Sequence, residues 1–248
     1  MSNNTNQQNR IEQHCLDILK DNLSKEMCFG LLDDEYVELK ERLKKAKPNG
    51  NSNDFPDFIC DEGFIEHFAV TSSSETRKGS KEKAETVMFE KRNCARFSKR
   101  MEEKDAEETI KHFSNRKIKG HSHDNIIKSI KKNWKKHIES YDNFSGCKEH
   151  GIFLLEYGDQ GALETMEKTA KGYKHYWTYR LNTDKELLKW LYDYKNKVEY
   201  ILFMSQESIE VIKIDQILNI LDSLPEGLYC TSYSLQSDRY IGETIKFE

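Results

Sequence analysis

The stretch 54–74, DFPDFICDEGFIEHFAVTSSS, decides how this chain is read. Phe58, Ile59 and Cys60 make a short apolar run, Asp61-Glu62-Gly63 carries turn chemistry, and Phe64 to Val70 is a second apolar run rich in β-formers. Two such runs around a tight turn predict a β-hairpin. The acids in it are out of place. Asp57 enters the first strand directly after Pro56, and Glu66 lies between Ile65 and His67 inside the second. An unpaired carboxylate buried in a strand costs several kcal/mol, so each needs a reason to be there.

Across a tight hairpin, Asp57 and Glu66 are expected to project from neighbouring strands on one face. Their repulsion is resolved by a hard divalent cation, Mg²⁺ (or Mn²⁺), that takes oxygen ligands from both. The simpler alternative has Asp57 capping a turn and Glu66 facing solvent on an edge strand.

Pro56-Asp57, then eight residues, then Glu66 in an apolar strand resembles the metal-binding signature of the PD-(D/E)XK nuclease superfamily, the fold of many restriction and repair endonucleases. The resemblance implies an α/β fold with a central mixed sheet flanked by helices, of restriction-endonuclease-like type. It also implies a Mg²⁺-dependent deoxyribonuclease in which Asp57 and Glu66 are catalytic and hold the metal, with DNA as the partner and a homodimer as an allowed assembly. The sequence departs from the family pattern at Phe68, which stands where the motif lysine belongs. Lys78 is the nearest candidate in sequence to replace it. A chain without that lysine has an alternative reading, a catalytically inactive nucleic-acid- or protein-binding module. A role in restriction or defence rests on family analogy alone.

Composition sets the outer bounds. The chain has 248 residues, enough to bury a good core as one large domain. With 33% charged residues and a formal net charge of −4 there is no global basic field, so nucleic-acid binding has to come from local patches. The six cysteines (Cys15, Cys28, Cys60, Cys94, Cys147, Cys230) show no C-x-x-C pair or zinc spacing and read as reduced thiols of a cytoplasmic protein. No apolar run is long enough for a membrane span, and MSNNTNQQN lacks the apolar core of a secretory signal. Nucleotide-loop, zinc-protease and serine-hydrolase motifs are missing as well.

In chain order, residues 1–9 are polar and expected to be a disordered tail, with 10–248 forming one domain. Helices are predicted over Arg10 to Leu23 and Asp34 to Lys45. In the resembled family a leading helix can lend the metal an acid, for which Glu35 and Glu38 are candidates. The hydroxyl-rich loop 71–80 runs into a helix predicted over Lys81 to Phe113. Free amides at that helix start, with Arg77, Lys78 and Lys81, suit a phosphate. His121-Ser122-His123-Asp124 reads as a helix cap rather than a metal motif, because H-x-H lacks further ligands at defined spacing.

The next helix, Asn125 to about Tyr141, has an apolar stripe of Ile126, Ile127, Ile130, Trp134 and Ile138. Lys128, Lys131, Lys132, Lys135 and Lys136 cover much of the rest, a patch suited to a phosphate backbone. Ile152 to Tyr157 then reads as a buried strand, and Gly158 to Lys171 as a loop with a short helix. A capped helix from Thr183 and a strand at Tyr200 to Met204 complete a parallel crossover. Gly227 to Leu235 and Arg239 to Phe247 close the chain as two strands.

Overall fold

The hairpin forms where the sequence predicts it. In a computed structural model, residues 2–50, 54–74, 80–103, 109–117, 120–159, 162–205, 208–232 and 235–243 are described. The elements in order are α1 (Ser2–Asn22), β1 (Cys28–Phe29), α2 (Asp33–Lys45), β2 (Lys47–Pro48), β3 (Phe58–Cys60), β4 (Gly63–Val70), α3 (Ser80–Glu102), β5 (Thr109–Lys117) and α4 (His123–Asn143). There follow β6 (His150–Tyr157), β7 (Leu163–Thr169), β8 (Gly172–Tyr176), α5 (Lys185–Tyr192), β9 (Tyr200–Ser205), β10 (Ile209–Lys213), α6 (Ile217–Ser223), β11 (Leu228–Ser232) and β12 (Leu235–Glu243).

Seven strands form one mixed sheet in the order β1-β10-β9-β6-β4-β3-β2. The middle is parallel: β4 pairs with β6 and β6 with β9. Each of these connections passes through a helix, α4 and α5 respectively, as parallel pairing requires. At the hairpin turn the work is divided between two residues. Glu62 takes the left-handed backbone conformation (φ 57°). Gly63 is needed for a different reason: a Cβ there would lie 2.1 Å from the His150 carbonyl oxygen, so only glycine lets β4 start flush against β6.

The pleat of β4 sends alternate residues to opposite faces. Phe64 and Phe68 join Phe153, Leu155 and Phe203 under α4 and α5, where Trp134, Ile130, Leu187 and Leu191 pack on them. Ile65 joins Ile152, Leu154 and Leu202 on the other face, covered by Leu16 and Leu19 of α1 and Leu39 and Leu43 of α2. The chain is therefore α/β with helices on both faces of a mixed sheet.

Several boundaries differ from expectation. The helix α1 begins at Ser2, so the polar residues expected as a disordered tail extend it; adding turns to a formed helix costs far less than starting one. The helix predicted to reach Phe113 ends at Glu102, and Thr109–Lys117 pairs antiparallel with β12 instead. There Lys111 and Phe113 are exposed while His112 and Ser114 are partly buried, an alternation of period two that the residue types do not display. The segment expected as a loop with a short helix contains β7, the middle strand of a separate sheet ordered β11-β7-β8. All six cysteines are unpaired, and among the described residues no helix is long and apolar enough to cross a membrane.

Candidate active site

The ladder between β3 and β4 ends early. Phe58 pairs with Ile65, and beyond that point β4 runs on to Val70 without β3 beside it. Asp57 fills part of this notch. Its Oδ2 accepts the His67 amide at 2.7 Å, and its own amide donates to Glu66 Oε2 at 3.2 Å. The two acids singled out in the sequence are thus in direct contact.

Around them the two sheet faces converge on one edge. Glu66 projects with Phe64 and Phe68 toward α4, where its Oε1 lies 2.5 Å from His137 Nδ1. The His137 ring stacks on Phe68, with centroids 4.6 Å apart and planes 11° from parallel. His67 projects with Ile65 toward α1. There Asp57, His67 and Glu12 each bring a ligand atom within 4.8 Å of the others, a group able to hold a metal ion. Cys15, His67 and Glu156 form a second such group. Glu66 belongs to neither, so among the described residues the metal-capable set around Asp57 is completed by Glu12 and His67.

The charges are crowded. Burial, with Glu12 adding to it, pushes the Glu66 carboxyl up to about 8, although the Asp57 amide pulls the other way. Burial and then the neighbouring Glu66 push Asp57 up to about 7. Burial, helped by Lys136, pushes His137 down to about 4. Acids held this far above their ordinary range at the edge of a sheet are a mark of functional sites; burial is the main cause, and a divalent cation would offset both the lost hydration of the carboxylates and the smaller repulsion between them.

The acid delivered by the leading helices is Glu12 of α1, 6% exposed. Glu35 instead accepts the Leu32 amide at the start of α2 and pairs with Lys213, and Glu38 is exposed. Glu12 was legible in principle. It falls on the same helical stripe as Cys15, Leu16, Leu19 and Leu23, an acid on an apolar face. His137 sits likewise on the buried side of α4, between Trp134 and Tyr141.

Arg77 and Lys78 lie outside the described residues, as does the side chain of Lys81. The described part of their loop does not offer an open phosphate cradle. Thr71 N donates to Ser129 Oγ, Ser72 N to Asp159, Ser73 N to Thr71 Oγ1 and Ser74 N to the Gly120 carbonyl. On α4, Lys128, Lys132 and Lys135 are exposed, whereas Lys131 pairs with Glu186 at 3.1 Å and lies over the Trp190 ring. His123 takes no metal role here. Its Nε2 is 2.6 Å from Asp184 Oδ2, and Asp184 also caps α5 and accepts the Tyr179 hydroxyl.

Ser72, His121 and Asp159 have the residue types of a nucleophilic triad without its geometry. A single nitrogen, His121 Nδ1, faces both Ser72 Oγ at 2.7 Å and Asp159 at 3.7 Å, and Ser72 is fully buried. Comparisons with protein-family models, with curated proteins and with solved structures return no match.

Proposed function

We propose that the chain is a divalent-metal-dependent hydrolase of phosphodiester bonds in DNA, with a restriction-endonuclease-like arrangement of its sheet. The observation that carries this reading is the contact between Asp57 and Glu66 in the notch beside β4, with Glu12 brought in from α1. Oxygen donors of this kind suit Mg²⁺ or Mn²⁺. Such a cation would lower the pKa of a bound water and stabilise charge at the phosphorus centre. Asp57 and Glu12 would hold it, and Glu66 would orient or deprotonate the water. His137, against Glu66 Oε1, would hold that carboxyl in position. A cation outside β4 takes the role that Phe68 cannot; Lys78 is the candidate from sequence, and Lys136 is a described cation whose charge acts on Glu66. The exposed Lys128, Lys132 and Lys135 would bear on the DNA backbone. A cytoplasmic location fits this reading.

A second reading is favoured by a specific observation. Both oxygens of Glu66 are already engaged, by His137 and by the Asp57 amide, and Phe68 stacks on His137 where the family lysine would stand. That is what an inactive, DNA- or protein-binding relative would show. Plasmid cleavage in Mg²⁺ or Mn²⁺ separates the two. The hydrolase reading expects metal-dependent nicking or cutting that disappears in Asp57→Ala and Glu66→Ala. DNA retention without cleavage by the parent chain supports the binding module, and cleavage that persists in both variants refutes the site.

A further inference from the structure

His67 is the residue the hydrolase reading leaves least explained. It is 8% exposed, and its Nε2 is buried without a hydrogen-bond partner. A buried ring nitrogen left in that state is unfavourable unless something else occupies it. Nε2 points toward Glu156, lying 3.3 Å from Oε2 without forming a hydrogen bond. Cys15 Sγ, from the facing side of α1, is within 4.8 Å of both ligand atoms of that group.

The topology explains why these three meet. His67 pairs with Leu154 in the register of β4 and β6, so Glu156, two residues on, points to the same face of the sheet. Cys15 lies on the buried stripe of α1 that covers this face. Sulfur, imidazole and carboxylate together are the donor set of a borderline transition metal, not of Mg²⁺. The spacing also fits. Two ligands each about 2.0–2.1 Å from a tetrahedral zinc lie about 3.3 Å apart, the separation of His67 Nε2 and Glu156 Oε2.

We propose that Cys15, His67 and Glu156 form a zinc-type cation site on the α1 face of the sheet. On binding, the sulfur–metal bond replaces the S–H bond, and the thiol proton leaves to solvent. A water completes the coordination. The Glu156 side chain is 30% exposed and gives the ion a way in. The site links α1 to the central strands β4 and β6 and fixes the ring beside Asp57. It differs from the proposed hydrolytic centre in donors and stands whether or not the chain cuts DNA.

The test uses the full chain with the exposed Cys94 and Cys147 replaced by serine, titrated with Co²⁺ alone. The expected result is a thiolate-to-cobalt charge-transfer band saturating at one equivalent and displaced by Zn²⁺. Cys15→Ser removes the band, and His67→Gln or Glu156→Gln weakens binding at least about tenfold. Glu66→Gln keeps the band, so this proposal and the hydrolase reading fail separately. Absence of a thiolate band at saturating Co²⁺, or a band that survives Cys15→Ser, overturns the site. If Cys15→Ser does not fold, His67→Gln makes the same comparison, and unchanged affinity there overturns it equally.

Discussion

Two polar clusters sit along β4, and they are built in opposite ways. At its C-terminal end one carboxylate serves many donors. Asp159 Oδ2 accepts Ser72 N at 2.6 Å, Thr71 Oγ1 at 2.7 Å and Ser72 Oγ at 3.1 Å, while Ser72 Oγ also meets His121 and Tyr157. At the edge notch the carboxylates Glu12, Asp57 and Glu66 crowd together, with the Asp57 amide donating to Glu66 and the His67 amide to Asp57. The first cluster is satisfied within the protein and stabilises the join between β4 and the start of α4. The second is short of positive charge, which is the state expected of groups kept for a ligand. By residue type the two look equally catalytic; only the accounting of partners tells them apart.

Substitutions should expose the contrast. The largest loss of stability is expected for Asp159→Ala, which removes the acceptor of three part-buried donations at once and should cost about 3 kcal/mol in urea unfolding. A loss under about 1 kcal/mol would mean the node is not the satisfied network described here.

At the notch the effect should depend on pH and take the opposite sign. Asp57 and Glu66 titrate higher in the folded chain than when unfolded, so the folded state binds more protons in the intervening range. Their contribution is therefore full in acid and is lost as pH rises through about 7 and about 8. Glu66→Gln cannot ionise, and without divalent metal it should lose less stability than the parent between acid and alkaline solution. The difference expected is on the order of 2 kcal/mol. Parallel curves for the two proteins would show that Glu66 is not strained in the way described.

Smaller effects mark the surroundings. Hydrogen bonding to Asp184 raises the His123 pKa above the usual histidine range. That stabilisation is present below the unfolded pKa and fades as pH rises through the raised folded value. His123→Gln should then cost roughly 1 kcal/mol in mild acid and less above neutrality, as read by thermal melts. Lys131→Ala removes a partly exposed pair with Glu186 and should change stability by at most about 0.5 kcal/mol. Lys132→Ala and Lys135→Ala should leave stability alone and reduce the salt dependence of DNA binding, if α4 bears on the backbone as proposed.

Much of this was legible in the chain itself. The hairpin, the buried strand β6, the parallel crossover to β9 and the amphipathic α4 follow from local period and turn chemistry, which act within a few residues. That Asp57 lies beside Glu66 followed from hairpin geometry, but the contact runs from the Asp57 amide to Glu66 Oε2, and the Asp57 carboxylate groups with His67 and Glu12 rather than with the Glu66 carboxylate. What completes the notch is brought in from distant elements: Glu12 and Cys15 from α1, His137 from α4, Glu156 from β6. Each had a local sign, a polar residue on an apolar face, but no local rule says which of these faces meet. The hydroxyl-rich loop looks free in sequence, whereas Asp159 accepts the Ser72 amide, Thr71 Oγ1 accepts the Ser73 amide, and the pairing of this segment with residues 120–122 leaves both serines buried. The ribbon of β5 with β12 was half legible, since its two strands are far apart in sequence and the first continues a helical stripe.

Thermal unfolding at pH 8 with and without Mg²⁺, a cation that thiols do not take, tests the notch most directly. For the parent chain, Mg²⁺ at a hundredfold excess over its dissociation constant should add about 2.7 kcal/mol, raising Tm by about 5 °C or more for a chain of this length, and Asp57→Asn should lose that shift. No Mg²⁺-dependent rise in the parent, or the same rise in Asp57→Asn, would contradict a cation site built on these acids.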